Sequence, residues 1–363
     1  MWSLIRLTLS YLLAFHTVQA VAAEPADCRL VAAGAQVLQS KALSADGKVS
    51  CATCHDPGKA FADGLATAKG LEQRQGRRNT PSLLDVAHQK SFFWDGRRPT
   101  LEAQALDPVL HPDEHGLRDL AEVMQRLRQD SALAGAVAAA HGTSVDRLEP
   151  VHVEKALAAF ESTLRSGPTP FDEFRAGAAT AMSESARRGW ELFKGRADCA
   201  RCHPADGSRP LFTDHGFHSL GVGLPGARLH ELVTLARRFW AQGKDAGDLL
   251  LANADLGSLG RFLVTREPKD IGAFKTPGLR NVALTAPYMH DGSVATLEDA
   301  VDLELYYRGA NKGAPLVLSM GERADLVAFL QALTSQPLLD PQRPCAHVEA
   351  RGEPRAEVVS GRP

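Results

Sequence analysis

The sequence predicts a mostly α-helical chain folded as two domains, on three observations. Apolar residues recur at helical spacing through most of the chain, and period-two alternation is nearly absent. A five-residue cysteine–histidine motif stands once in each half, its two copies about 145 residues apart. The 363 residues, 44% hydrophobic and 23% charged, are enough for two ordinary cores. With 41 Lys+Arg against 43 Asp+Glu, the charge balance excludes the basic excess of a nucleic-acid binder.

In chain order, residues 1–23 read as a secretory signal peptide. One positive charge precedes the apolar run Leu7 to Phe15, and small residues lead to Ala20 or Ala23. That run is far shorter than the ~18 to 20 residues a membrane span needs, and no later stretch is long and uncharged enough. An exported, periplasmic protein without a membrane span is the expectation. A helical stretch follows over Asp119 to His141, and Val153, Leu157, Phe160 and Leu164 mark another. The Gly- and Pro-bearing segment Arg165 to Pro170 reads as a linker, dividing the chain into domains 24–167 and 168–336. Ala186, Gly189, Trp190 and Phe193 share a helix face just before the second motif. Ser319 and Glu322 form a capping box ahead of Leu326, Phe329, Leu330 and Leu333. Residues 337–363 are Pro- and charge-rich without periodicity, an extended tail.

Four of the six cysteines lie in Cys51-Ala52-Thr53-Cys54-His55 and Cys199-Ala200-Arg201-Cys202-His203. Both are C-x-x-C-H, the attachment signature of c-type haem. Thiols three residues apart add across the two vinyl groups of one porphyrin, and the next residue sets an imidazole against the iron. A zinc site or redox dithiol would leave His55 and His203 without a purpose. Two covalent haems are therefore expected, with His55 and His203 as iron ligands. Cys28 and Cys345 stand near opposite ends of the mature chain, as a terminal disulfide or as two free thiols.

Beyond the motifs, the chain resembles the bacterial di-haem cytochrome c peroxidase and MauG superfamily. The resemblance runs through Ser50 to Asp56, Arg77-Arg78-Asn79-Thr80-Pro81, Phe93-Trp94-Asp95-Gly96-Arg97 and Phe212-Thr213-Asp214. It continues through Phe274 to Val282 and Ala286-Pro287-Tyr288-Met289-His290-Asp291-Gly292. It implies two cytochrome c-like domains around an interdomain calcium ion. Peroxide would react at the N-terminal haem, and the C-terminal haem would handle electrons. By the same resemblance Glu114 is the distal acid/base, Gln104 its hydrogen-bonding companion, and Pro108 shapes the pocket. Trp94 lies between the haems, and calcium takes Asn79 with the carbonyls of Thr285 and Pro287. Oxygen donors of that kind suit a hard cation. On their own, Glu114 and Gln104 would read as surface residues, Trp94 as a core aromatic, and the calcium set as turn residues.

Two departures from the family pattern indicate the branch. Many cytochrome c peroxidases carry a histidine in the segment after Phe61 that blocks the peroxidatic iron; here residues 61–78 contain none, and His88 lies beyond Asn79. The sixth ligand of the second haem, a methionine or tyrosine fourteen residues after the histidine of Tyr-x-His-Asp-Gly, falls on Glu304. Tyr306 and Tyr307 follow within one turn and are the expected ligands, with Met289 and Met320 as other candidates. Both features point to the MauG/MbnH-like branch, in which peroxide drives a high-valent di-haem state that oxidises a Trp or Tyr of a partner protein. That partner would be periplasmic and, as for one MauG relative, copper-binding. The alternative is a cytochrome c peroxidase drawing electrons from a small cytochrome c or cupredoxin. In MauG a tryptophan two residues before the second motif carries electrons outward; here that position is Ala197, leaving Trp190 and Trp240, both more naturally core residues.

Overall fold

The structure, a computed structural model, describes residues 27–313 and 316–335. The expected signal peptide, the tail 337–363 and Cys345, with its pairing to Cys28, lie outside the described residues. The longer helices are α1 (Cys28–Gln39), α2 (Leu120–Gln129), α3 (Ser131–Ala140), α4 (Pro150–Glu161) and α5 (Glu184–Lys194). After them come β1 (Phe217–Ser219), α6 (Leu229–Ala241), α7 (Ala246–Ala252), β2 (Ala273–Lys275), α8 (Leu297–Lys312) and α9 (Met320–Gln331). The two three-residue strands pair antiparallel, with His218 opposite Phe274.

Each half is organised by one close helix crossing. Asp27 caps α1 by accepting from the Arg29 and Leu30 N–H groups. Its buried stripe, Val31, Gly34, Val37 and Leu38, lies on α4. A Cβ on Gly34 would stand 1.9 Å from the Ala156 carbonyl oxygen, so only glycine lets the backbones meet. The same device joins α5 to α9, where a Cβ on Gly189 would stand 1.8 Å from the Asp325 oxygen. A C-x-x-C-H motif follows the first helix of each pair. The capping box on α9 forms as expected, whereas Asp119 to His141 is two helices, because Asp130 ends α2 and caps α3.

The apolar residues gather around three principal centres. One surrounds α1 and α4, and a second holds Phe171, Phe193, Phe212 and Phe329 near α5 and α9. The third, with Leu232, Leu249, Leu259 and Phe262, comes from the excursion between β1 and β2. That excursion docks on the N-terminal half through arginines that meet backbone carbonyls: Arg77 to Leu250, Arg78 to Gly257, and Arg261 to Asp95 and Gly96. The segment 165–170 is not a free linker. Ser166, Gly167 and Thr169 are buried, and Arg280 donates to the Ser166 hydroxyl (3.0 Å) and the Gly167 carbonyl (3.3 Å). Among the described residues, no helix is long and apolar enough to cross a membrane.

Candidate functional site

The two C-x-x-C-H motifs share one local design. Cys51–Cys54 forms a single helical turn, opened by a capping box between Ser50 and Thr53. The chain then turns so that the His55 ring nitrogen Nδ1 meets the Phe61 carbonyl at 3.0 Å. In the second motif His203 Nδ1 meets the Phe212 carbonyl at 2.7 Å. A carbonyl only accepts, so each Nδ1 carries the proton and each Nε2 presents a lone pair. Both phenylalanines hold a left-handed backbone, φ 59° at Phe61 and 57° at Phe212, a strain of about 1–3 kcal/mol kept at the same place twice. Burial lowers the pKa of both imidazoles, that of His203 to about 4, so both remain neutral ligands. Burial pushes the Cys51, Cys54 and Cys199 thiols up to about 12 and raises Cys202 as well. Such thiols do not suit a dithiol nucleophile or a ready zinc site, which need thiolate.

One cavity of about 970 Å³ runs between the motifs, lined by Cys54 and His55 at one end and Cys199, Cys202 and His203 at the other. That volume is at the upper end for a ligand site. Neutral imidazoles with bare Nε2 atoms, thiols beside them and this space fit a haem at each motif. His55 and His203 would hold the irons, and the cysteines would hold the porphyrin edges.

At the His55 end the cavity wall includes Gln104, Pro108 and Glu114, the three residues expected there. Desolvation raises the Glu114 carboxyl to about 7, against the pull of Arg97 and with the push of Asp107 and Asp113. The loop that follows Phe61 lies directly behind it. The Leu71 N–H donates to the Glu114 carbonyl at 2.7 Å, and a Cβ on Gly70 would stand 2.2 Å from the Asp113 oxygen. His88 is not among the lining residues, whereas His111 is, its Nδ1 accepting from the Asp113 N–H at 3.2 Å. A residue that motif reading passed over, Glu161, also lines this end. It is buried, accepts from Gln104 Nε2 at 3.4 Å, and burial raises it to about 8. The legible sign was its phase: Leu157, Glu161 and Leu164 lie on one helical stripe, so the acid interrupts an apolar face.

Trp94 also lines the cavity. Its ring N–H donates to the Asn79 carbonyl at 2.9 Å, and its own carbonyl accepts from the Lys275 N–H at 2.8 Å. Asn79, Thr285 and Pro287 also line the cavity. The Asn79 N–H donates to the His290 carbonyl at 3.0 Å, and its side-chain amide donates to Leu65. That leaves the Asn79 Oδ1 as the acceptor able to meet a cation.

At the His203 end the structure does not bring the expected tyrosines to the cavity. Tyr306 is 69% exposed, and Tyr307 packs against Gly221; neither lines the wall. Met320 is 87% exposed, while Met289 is a lining residue. Glu304 and Arg308 take the helix face turned to the cavity. Of the remaining aromatics, Trp190 packs among Phe171, Phe193 and Phe329, Trp240 packs on Phe262, and Ala197 is fully buried.

Comparison with known proteins agrees with this geometry. Residues 29–180 match the family model for di-haem cytochrome c peroxidase. The chain is 37% identical to the methylamine utilization protein MauG of Methylorubrum extorquens, over 87% of this chain and 81% of that one. It is 34% identical to the cytochrome-c peroxidase IdrP2 of a Pseudomonas strain, over 87% and 84%. The protein belongs to the di-haem cytochrome c peroxidase and MauG family. Among solved structures it is similar to a MauG-like protein associated with microbial copper homeostasis, with TM-score 0.66 and 30% identity over 86% of this chain and 92% of that one. The diheme peroxidase BthA of Burkholderia thailandensis is also similar, with TM-score 0.65 and 27% identity over 85% and 86%. The fold is thus a di-haem cytochrome c-like one, and the chain is a haem-dependent oxidoreductase of the peroxidase class.

Proposed function

We propose that this protein is a periplasmic enzyme with two covalently attached c-type haems and one calcium ion, which uses hydrogen peroxide to oxidise a Trp or Tyr of a partner protein. The observation that carries this reading is the makeup of the His55 end of the cavity. A carboxyl near neutrality faces the space, and the loop in which gated relatives keep a blocking histidine has none and is packed behind Glu114. Peroxide therefore meets an open site in the resting protein.

The haems, when bound, supply the redox chemistry with peroxide. The side chains do the rest. His55 and His203, fixed by their Nδ1 bonds, hold the two irons. Glu114, ionised above about pH 7, takes the proton from the entering peroxide oxygen and returns it to the departing one. Gln104, held by Glu161, orients the oxygen that Glu114 serves, and Pro108 limits the space beside it. Trp94 bridges the two ends through backbone hydrogen bonds to both halves, which suits an electron relay. Asn79 with the Thr285 and Pro287 carbonyls would hold calcium where those halves meet. The likeness to a MauG-like protein of copper homeostasis supports a copper-binding partner.

The relatives named cytochrome-c peroxidase favour a second reading, peroxide reduction with a small cytochrome c or cupredoxin as donor. Turnover with such donors separates the two. On the first reading, peroxide consumption stays slow with a reduced small donor, and the oxidising equivalents appear as a modified residue in the partner. Rapid, donor-saturable turnover would select the second.

A further inference from the structure

Helix α8 turns one acid inward. Leu297, Val301, Glu304 and Arg308 follow each other at helical intervals and all line the cavity at the His203 end. Leu297, Val301 and Leu305 belong to the buried core, so Glu304 occupies a position where packing alone would select an apolar side chain. Its carboxylate is 3.4 Å from Arg308 Nε, and Arg308 Nη1 donates to the carbonyl of Asp198, the residue before Cys199. The pair is therefore tied to the second attachment motif itself. Two other lining residues are committed elsewhere, His218 Nε2 to Asp214 at 2.7 Å and the Tyr288 hydroxyl to the Val282 carbonyl at 3.2 Å. Met289 and His290, whose buried Nε2 has no hydrogen-bond partner, also line the cavity, but unlike Glu304 neither is on the helix tied to the second motif.

We infer that Glu304, oriented by Arg308, is the residue this chain presents to the sixth position of the second haem iron, in place of Tyr306, Tyr307 or a methionine. The inference rests on the two-haem reading. A carboxylate is a hard, weak-field oxygen donor, so the ferric second centre would be high-spin where a histidine–methionine or histidine–tyrosine pair gives a low-spin iron. It also stabilises ferric iron more than a thioether does, and it exchanges more readily with an added ligand.

Optical and electron paramagnetic resonance spectra of the ferric holoprotein test this, after its haem content has been counted by the pyridine haemochrome method. Fewer than two haems per chain would remove the two-haem reading itself, and this inference with it. With two haems present, Glu304→Gln is expected to alter one ferric signal and to tighten imidazole binding at that haem about tenfold or more. Glu304→Met is expected to create a low-spin signal with a thioether-to-iron charge-transfer band. Tyr306→Phe, Tyr307→Phe and Met289→Leu are expected to leave the parent spectrum unchanged. A low-spin parent signal that disappears in one of those three variants would overturn the inference, even if the Glu304 variants failed to fold. So would coincident spectra of the parent and Glu304→Gln.

Discussion

The two ends of the cavity begin alike and finish differently. Each starts from C-x-x-C-H, a histidine whose Nδ1 donates to a phenylalanine carbonyl, and a left-handed backbone at that phenylalanine. Across the cavity, the His55 end meets Glu114, Gln104 and Glu161, brought in from three separate segments. The His203 end meets Glu304 and Arg308 from a single helix. The side that would hold the iron is thus a local affair, written within eleven residues at one end and fourteen at the other. The opposite face depends on long-range packing, and it is there that one centre can become reactive and the other be kept closed.

The sharpest way to break this comparison is Glu114→Gln. It should slow the reaction of the ferric protein with peroxide about 10²–10⁴-fold while both haems remain attached, read by stopped-flow absorbance. In the parent, the same rate should rise with pH through about 7 as the carboxyl ionises, and the variant should lose that dependence. A full rate in Glu114→Gln would make the two ends alike in lacking a proton acceptor.

The next effect concerns Glu161. Its folded-state pKa is raised from 4.5 to about 8, so the native state favours the protonated form. Stability is then greatest at low pH and is lost as pH rises between those values, by an amount on the order of a few kcal/mol. Glu161→Gln should relieve that loss, raising Tm more at pH 8 than at pH 5. An equal shift at both pH values would show that burial does not hold Glu161 neutral.

Smaller still is the helix crossing common to both halves. Gly34→Ala and Gly189→Ala each push a methyl into a facing carbonyl, at a cost of about 1–3 kcal/mol in chemical denaturation. If only one of them is destabilising, the two crossings are not equivalent. Tyr306→Phe should change neither stability nor peroxide reactivity measurably, since the ring is 69% exposed.

Much of the local design was legible in the sequence. The motif histidines and the capping box at Ser319 sit within short segments whose chemistry is self-contained. Resemblance pointed to Glu114, Gln104 and Pro108, which line the cavity wall with His55 about 50 to 60 positions earlier in the chain, a grouping that no spacing rule yields. Glu161 escaped because it sits on an apolar stripe, where an acid reads as a break in a pattern until the cavity it faces is known; Glu304 was reached by spacing but set aside for its neighbours Tyr306 and Tyr307. Tyr306 and Tyr307, the expected ligands, stand off the cavity wall. They have the right chemistry close to the right position, but helical phase turns Glu304 inward and Tyr306 to the surface. The segment 165–170 looked like a linker by composition, yet Arg280, 110 or more residues further along, buries it. Loop composition carries no record of such a distant clasp.

The most direct test mixes the fully ferric protein with one equivalent of hydrogen peroxide, with no reductant, and follows the visible and near-infrared spectrum. The account predicts prompt loss of the ferric spectrum of the His55-side haem, because nothing in the loop beside Glu114 blocks it. A spectrum that stays unchanged until one haem has been reduced would contradict it.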